Sequence, residues 1–371
     1  MSGTIIVSAN AAWNLVNFRE GLIRRLVASG WRVVAVAPSD GPMEAHLQAI
    51  GCTCECIAID RKGVSPLRDL STIWRYWRLF RRYRPSHYLG WTIKPNTYGA
   101  FAARLCGVTA LCNISGLGTA FIRRSVLTII ARTLYRVCLS KAQTVFFQND
   151  ADRSLFLEHG MVRNEQAHLL PGSGVDTDWF QPVADAPNGR TEVTFLLIAR
   201  LIRDKGIGEY VTAAKQLLEI GFKARFQLLG PRDDGNRTGI SAAELDDWMA
   251  SGFVEYLGDA DDVRPIIANA DCIVLPSYRE GAARVLLEAA AMGKPAVASD
   301  VPGCRELVEH GVTGLLCACR DAEALASAML AMAECTPRER FEMGQAARRR
   351  IVERFDERIV IERYLQRIGL K

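Results

Sequence analysis

Leu275-Pro276-Ser277-Tyr278-Arg279-Glu280-Gly281-Ala282-Ala283-Arg284-Val285-Leu286-Leu287-Glu288-Ala289-Ala290-Ala291-Met292-Gly293-Lys294-Pro295 is the stretch that decides the fold. An apolar run over 271–275 ends at Pro276 and a polar loop follows. From Ala282 or Ala283 onward, Val285, Leu286, Ala289 and Ala290 recur at helical spacing, while Arg284 and Glu288, four apart, share the other face. The helix runs into Met-Gly-Lys-Pro and a new apolar strand at 296–299. Strand, loop, helix and strand make one βαβ unit. Glu280 stands just before the helix, and Gly281, Ala282 and Ala283 offer backbone N–H groups at its start, which suit phosphate or sugar oxygens. Two carboxylates about two turns apart can hold two hydroxyl-bearing parts of one ligand. The plainer reading is that Glu280 caps the helix and Glu288 pairs with Arg284 on a solvated face.

The same alternation extends in both directions. Toward the C-terminal side of residue 190, strands are expected at 193–199, 225–230, 253–257, 271–276 and 296–299, with helices at 207–221, 263–269 and 283–292. In the first half, strands are expected at 4–8, 32–37, 53–57, 86–91, 109–112, 143–147 and 167–170, with helices at 15–29, 66–82, 94–106, 124–140 and 151–159. Between the halves, Phe180-Gln181-Pro182 to Gly189 reads as a linker rich in Pro, Asp, Asn and Gly. The pattern predicts an α/β protein of two doubly wound, Rossmann-like domains, 1–182 and 190–355, with ligands at the carboxyl ends of the strands in the cleft between them. A last helix over 356–371 fits either domain by pattern and is expected to pack back on the first.

At 371 residues the chain suits two domains, and 49% hydrophobic with 23% charged residues is ordinary globular composition. The net charge of +5 hides an asymmetry: residues 1–182 hold 21 basic against 12 acidic residues, net +9, and the rest 25 against 29, net −4. A basic first half suits an anionic surface or ligand. Eleven cysteines, an odd number, do not make a disulfide framework, and reduced thiols fit the cytosol. Cys52, Cys54 and Cys56 alternate on a strand; buried thiols explain them better than a metal site, since no CxxC pair or Cys/His set accompanies them. No run suits a transmembrane helix or signal peptide, so membrane contact is expected to be peripheral. G-x-G-x-x-G and the phosphate-loop pattern are missing, which disfavours a nicotinamide dehydrogenase or a P-loop enzyme. No D-x-D metal motif stands out, and Asp233-Asp234 and Asp259 to Asp262 read as loop charges, so no metal and no cofactor is implied.

Glu280 and Glu288 enclose seven residues, and this spacing with its flanks resembles the E-x7-E signature of family-4 retaining glycosyltransferases of the GT-B fold. Ala199-Arg200-Leu201-Ile202-Arg203-Asp204-Lys205-Gly206 resembles the family's G-R-L-x-x-x-K-G segment, with Ala199 where Gly is common. Ser299-Asp300-Val301-Pro302-Gly303-Cys304-Arg305-Glu306 and Gly311-Val312-Thr313-Gly314 also match. The resemblance implies that Arg200 and Lys205 contact the donor diphosphate, that Glu280 meets the donor sugar and that Glu288 accepts from the ribose hydroxyls. Gly281, Ala282, Ala283 and Arg284 would complete the donor site, and the base would lie near the Gly252–Asp262 segment. The chemistry agrees: the leaving nucleoside diphosphate gains negative charge in the transition state, and a preorganised Arg and Lys stabilise that charge without a metal.

In the first domain, Asn10 follows the first strand among small residues and is assigned to the donor, while Arg19 lies in the following helix. Lys94 and Asn96, Ser115, and Asn149 each follow a strand and are, with Arg19, the expected acceptor contacts. Together these clusters resemble the bacterial subgroup of the family that builds O-antigen, capsule and lipid-linked oligosaccharide, including N-acetylgalactosaminyltransferases acting on undecaprenyl-diphosphate-linked sugars. Many family members carry a His in the 113–118 loop; this chain has none, so the donor phosphate itself would take the acceptor proton. Trp74-Arg75-Tyr76-Trp77-Arg78-Leu79-Phe80-Arg81-Arg82-Tyr83-Arg84 mixes aromatics with Arg on one helix, which suits an anionic membrane headgroup region; a core-facing amphipathic helix and nucleic acid are the alternatives, the latter disfavoured. Segment 119–136, with Arg123, Arg124, Arg132 and Arg136, could extend that surface. The expected activity is transfer of a hexose or N-acetylhexosamine from a UDP-sugar to a polyprenyl-diphosphate-linked saccharide on the inner face of the cell membrane, in the cytoplasm. The alternatives are an epimerase or hydrolase of the same fold, and a silent sugar-nucleotide-binding protein.

Overall fold

The computed structural model describes residues 3–59, 66–117, 126–183, 192–233 and 235–370. The chain divides into two compact units, Met1–Ser173 with Glu357–Lys371, and Gly174–Asp356. The change of unit thus lies at residue 173/174, ahead of the expected linker. Residues just after it are tied into the second unit: Val175 bridges to Asp356, Thr177 Oγ1 donates to Asp356 Oδ2 across 2.5 Å, and Arg348 donates to the Phe180 carbonyl at 3.1 Å. Most of the Pro/Asp/Asn/Gly-rich stretch, 184–191, falls outside the described residues.

The first unit runs β1 (Thr4–Ser8), α1 (Ala12–Ala28), β2 (Arg32–Ala37), α2 (Gly41–Ala49), β3 (Thr53–Cys56), α3 (Pro66–Tyr83), β4 (His87–Trp91), a π-turn at Pro95–Gly99 continued by α4 (Ala100–Leu105), β5 (Thr109–Ile114), α5 (Val126–Leu139), β6 (Thr144–Phe147), α6 (Asp150–Glu158) and β7 (Ala167–Leu169). Its sheet is parallel in the order β3-β2-β1-β4-β5-β6-β7, with Thr4 opposite Arg32 and Ile5 opposite His87. The order reverses between β1 and β4, which makes the carboxyl ends of those two strands the switch point of the sheet. Alternation along β1 sends Ile6 into a core with Tyr76, Phe80, Tyr135 and Phe156, while Ile5 and Val7 face Leu15, Ile23, Val360 and Tyr364 on the other side. The last two belong to α13 (Glu357–Arg367), which closes this second face beside α1.

The second unit contains β8 (Val193–Ile198), α7 (Ile207–Glu219), β9 (Ala224–Leu229), α8 (Ala242–Ala250), β10 (Glu255–Tyr256), α9 (Arg264–Asn269), β11 (Cys272–Leu275), α10 (Arg284–Ala291), β12 (Ala296–Ser299), β13 (Gly314–Cys317), α11 (Ala322–Glu334) and α12 (Pro337–Arg354). Its parallel sheet is ordered β10-β9-β8-β11-β12-β13, with the switch point between β8 and β11. Both sheets therefore have the doubly wound arrangement that the alternating pattern implied.

The sequence reading left out α2, α8, β13, α11 and α12. Two of these begin with reciprocal capping boxes, Ser241 with Glu244 and Thr336 with Glu339, the second followed by Pro337 at the first helical position. Cys52 and Cys54 pack on the α1 side of the sheet, and burial pushes the Cys52 thiol up to about 12. No group of three metal-ligating side chains occurs among the described residues.

Candidate functional site

The second sheet's switch point gathers three loops. The first follows β8: Arg200 and then a short 3-10 turn, Arg203–Lys205, ending at Gly206. Gly206 has φ 73° and its α-hydrogen points at the Pro276 carbonyl, where a Cβ would clash; only glycine fits both demands. The second loop follows β11 and carries Tyr278 and Glu280. It is laced to the first by Tyr278 N–H to the Asp204 carbonyl at 2.9 Å and Ser277 Oγ to the same oxygen at 3.3 Å. The third loop, after β12, supports the second: Glu280 N–H donates to the Pro302 carbonyl and Ala283 N–H to the Gly303 carbonyl, at 3.1 and 3.0 Å. Gly303, at φ 86°, again lies too close to the Glu280 backbone for any side chain.

This lacing brings the charged side chains together. Lys205 Nζ is ion-paired with the Glu280 carboxylate, both largely buried. Arg200 is exposed and pairs with Asp233 at 3.3 Å. Arg284 and Glu288 form a 2.7 Å pair along α10, so the plainer sequence reading was right about the pairing. It was not a solvated face, however: the Glu288 side chain is 14% exposed, and burial raises its pKa, with Arg284 opposing that rise. Gly281 and Ala283 are buried and Ala282 half-buried, and the Ala283 N–H is already spent on Gly303.

Three residues that the sequence reading did not single out hold the second loop. The Tyr278 hydroxyl donates to Glu209 Oε1 at 2.6 Å, and the Arg320 guanidinium lies 4.4 Å from the centre of its ring. Burial, together with Glu209, raises the Tyr278 pKa. Arg320 has φ 61°, a strained conformation for a residue with a side chain. Glu209 is the only carboxylate in the first turn of the predicted 207–221 helix, the one sequence signal available.

At the first sheet's switch point, the Asn10 N–H donates to Thr92 Oγ1 at 3.2 Å, and Asn14 Nδ2 donates to Asn10 Oδ1 at 2.9 Å. Thr92, β-branched, sits at φ 68°, a conformation that costs of order 1–3 kcal/mol and is concentrated at ligand sites. Arg19 is buried, its guanidinium 5.1 Å from the Trp91 ring centre. Lys94 is ion-paired with Asp69 at 2.8 Å and largely covered. Asn96 spends its amide on the Asn113 backbone, donating to the carbonyl at 2.6 Å and accepting from the N–H at 3.3 Å. Asn149 caps α6, accepting from Asp152 N–H at 2.8 Å. Ser115 is exposed in the turn after β5. Tyr364 of α13 accepts from Trp91 Nε1 and Asn113 Nδ2 at 3.0 and 2.9 Å, behind these loops.

On α3 the aromatic residues divide. Tyr76 and Phe80 are in the core, whereas Trp74 and Trp77 are exposed among Arg75, Arg78, Arg81 and Arg82. Ile129, Ile130 and Val137 of α5 are exposed as well, and α4 packs against both helices. Arg136 is committed to the carbonyls of His159 and Gly160. Arg123 and Arg124 lie outside the described residues. No helix among the described residues is long and apolar enough to cross a membrane.

Residues 17–172 match the glycosyl transferase 4-like domain, and residues 192–335 match the family described as glycosyl transferases group 1. The chain is 25% identical, over 96% of its length and 96% of the relative's, to the N,N'-diacetylbacillosaminyl-diphospho-undecaprenol alpha-1,3-N-acetylgalactosaminyltransferase of Campylobacter jejuni. It is 21% identical, over 72% of each chain, to an Escherichia coli UDP-Gal:alpha-D-GlcNAc-diphosphoundecaprenol alpha-1,3-galactosyltransferase. Among solved structures, Anabaena HepE in complex with UDP-glucose superposes with a TM-score of 0.81 at 19% identity, covering 99% of both chains, and shows the shared fold. With a glycosyl transferase 4-like domain matched in the first unit and a glycosyl transferases group 1 domain in the second, the chain is a glycosyltransferase of the GT-B fold.

Proposed function

We propose that the enzyme is a retaining transferase that moves a hexose or N-acetylhexosamine from a UDP-sugar to a polyprenyl-diphosphate-linked saccharide. The observation that carries this reading is the Lys205–Glu280 ion pair, which sets a cation and a carboxylate side by side at a strand switch point with Arg200 in the same loop. Arg200 and Lys205 hold the diphosphate. As the bond from the sugar C1 to the phosphate oxygen breaks, charge grows on that oxygen, and each preorganised cation lowers the barrier by about 3–4 kcal/mol. Glu280, already oriented by Lys205, accepts from a donor-sugar hydroxyl. Glu288 accepts from the ribose hydroxyls, and its burial beside Arg284 strengthens those bonds. The acceptor hydroxyl bonds to C1 on the face that the leaving group vacates, and its proton passes to the departing phosphate, giving UDP and a retained anomer.

The basic first half, with Trp74 and Trp77 exposed among arginines, supports a second element of the reading: α3 seats the enzyme on an anionic membrane surface, on the cytoplasmic side, where a lipid-linked acceptor resides. Boundaries of 1–182 and 190–355 for acceptor and donor halves are replaced in this reading by the two units described above.

The test is a panel of UDP- and GDP-sugars assayed with and without a polyprenyl-diphosphate-saccharide, repeated with Glu280→Ala, and with the product anomer read by NMR. Lipid-dependent transfer with retained configuration, lost in the variant, is the expected result. Nucleotide binding without turnover under any acceptor would leave a silent binding protein, and an inverted product would remove the retaining assignment.

A further inference from the structure

We infer that Trp13, together with Asn14 and Asn17, forms a subsite for a neutral sugar ring of the acceptor glycan on the first two turns of α1. This inference rests on the transferase reading above.

Trp13 is 49% exposed, although Ala12 and Leu15 on either side are buried in the core. Its indole meets Phe18 edge to face, with ring centres 5.0 Å apart at 88°, while Asn17 Nδ2 donates to the Trp13 backbone carbonyl at 3.1 Å. An exposed aromatic with one orientation offers contact area at little entropic cost. Residues 13, 14 and 17 fall on one stripe of α1, and Asn10, just ahead of the helix, extends it through its bond to Asn14. That stripe carries one indole and three amides and no charge. The nearby charges are otherwise engaged: Arg19 is buried against Trp91, and Glu20 is paired with Arg24 and His46 at 2.6 and 3.0 Å.

This composition selects the ligand class. A diphosphate calls for cations, and a lipid tail calls for an apolar face without amides. A pyranose has both characters: axial C–H groups polarised positive on one face, which suit the negative face of an indole, and hydroxyl or acetamido groups around its rim, which suit amides. Location points the same way. Asn14 is bonded to Asn10, and Asn10 to Thr92, which places the stripe at the β1/β4 switch point, where doubly wound sheets bind ligands. The strain held at Thr92 marks the same spot.

The experiment has two arms. In the first, 15N-tryptophan-labelled full-length protein, with the Trp13 indole signal assigned from Trp13→Phe, is titrated with a neutral N-acetylhexosamine disaccharide, and separately with inorganic pyrophosphate and with phosphatidylglycerol vesicles. The Trp13 signal is expected to shift saturably with the disaccharide alone. In the second, Trp13→Ala is expected to raise the acceptor KM about ten-fold, with Trp13→Phe in between, while acceptor-independent hydrolysis of the UDP-sugar and UDP affinity stay unchanged. An acceptor KM within about two-fold of wild type in Trp13→Ala, or a Trp13 signal that answers pyrophosphate or vesicles and not the disaccharide, overturns the inference. Failure of the transferase reading looks different: wild type would then turn over no donor with any acceptor, and the titration would still decide whether the stripe binds sugar.

Discussion

Across 2.6 Å, the hydroxyl of Tyr278 donates to the carboxylate of Glu209, and this bond ties the loop bearing Glu280 to the first turn of α7, directly after Lys205. The two members of the Lys205–Glu280 pair come from separate loops, 75 residues apart in sequence. Their spacing therefore depends on what joins those loops. Tyr278 does so twice, through its backbone N–H to Asp204 and through its hydroxyl to Glu209, with Arg320 pressed on its ring.

Tyr278→Phe keeps the ring and the contact with Arg320 and removes only the hydroxyl. The Glu280 loop then loses its tether to Glu209. kcat is expected to fall by about ten-fold to a hundred-fold while the donor KM moves little, because alignment and not nucleotide binding is what suffers. Steady-state kinetics against UDP-sugar check this, and a rise in KM at constant kcat would assign the tyrosine to binding instead.

Lys205→Ala removes the cation that the proposed mechanism sets against the leaving group. It is expected to lower kcat by about 10²–10³. It also strips a largely buried carboxylate of its partner, so the thermal unfolding of the variant should be compared with that of Lys205→Ala/Glu280→Ala. Recovery of stability in the double variant without recovery of activity separates the fold's interest in the pair from the reaction's.

Glu288 predicts a conflict between stability and binding. Its pKa is raised above the ordinary value of 4.5 by burial, so the folded protein holds the carboxyl proton more tightly than the unfolded chain does. The sign follows: the penalty for the ionised carboxylate is absent well below 4.5 and develops as pH rises through and above that value. Glu288→Gln is therefore expected to be at least as stable as wild type at neutral pH and to lose nucleotide affinity. Unfolding midpoints at pH 4 to 8, set beside UDP titration calorimetry, test both halves; a loss of stability at neutral pH would mean that the Arg284 pair outweighs burial.

Tyr364→Phe leaves the indole N–H of Trp91 and the amide of Asn113 without their shared acceptor in a fully buried setting. A cost of about 1–3 kcal/mol in urea unfolding is expected.

Membrane seating has a direct assay. Replacing exposed Trp74 and Trp77 by Ser is expected to weaken co-sedimentation with phosphatidylglycerol vesicles, more so at raised ionic strength, while acceptor-independent donor hydrolysis is preserved. Undiminished sedimentation would assign those tryptophans another role.

Much of this was readable from residues alone, and the divide has physical reasons. β1, β8 and β11 are mostly apolar because both faces of a parallel sheet are covered, so they stand out. Arg200, Lys205, Glu280 and Glu288 could be picked out because a spaced motif surrounds them. The pairing of Lys205 with Glu280 could not, because it depends on close backbone approach at Gly206 and Gly303, which no local pattern encodes. α12 escaped notice because its face toward the core is narrow, with Gly344, Ala347 and Ile351 buried in an otherwise charged helix. Lys94, Asn96 and Asn149 looked like ligands because polar residues after strands often are; here an ion pair, a backbone clamp and a helix cap occupy them. A polar side chain at a strand end serves the fold or the ligand, and sequence position does not tell which.

The return of α13 to the first unit has a consequence for how the chain is made. Val360, Tyr364, Leu365 and Ile368 fill a core whose other residues, from Ile5 to Leu170, emerge from the ribosome much earlier. At about 5–20 residues per second, the first unit waits with one sheet face only partly covered while the whole of 174–356 is synthesised, and the helix that follows residue 356 completes the cover. A stop codon anywhere before residue 357 would thus damage the unit most of which had already been built.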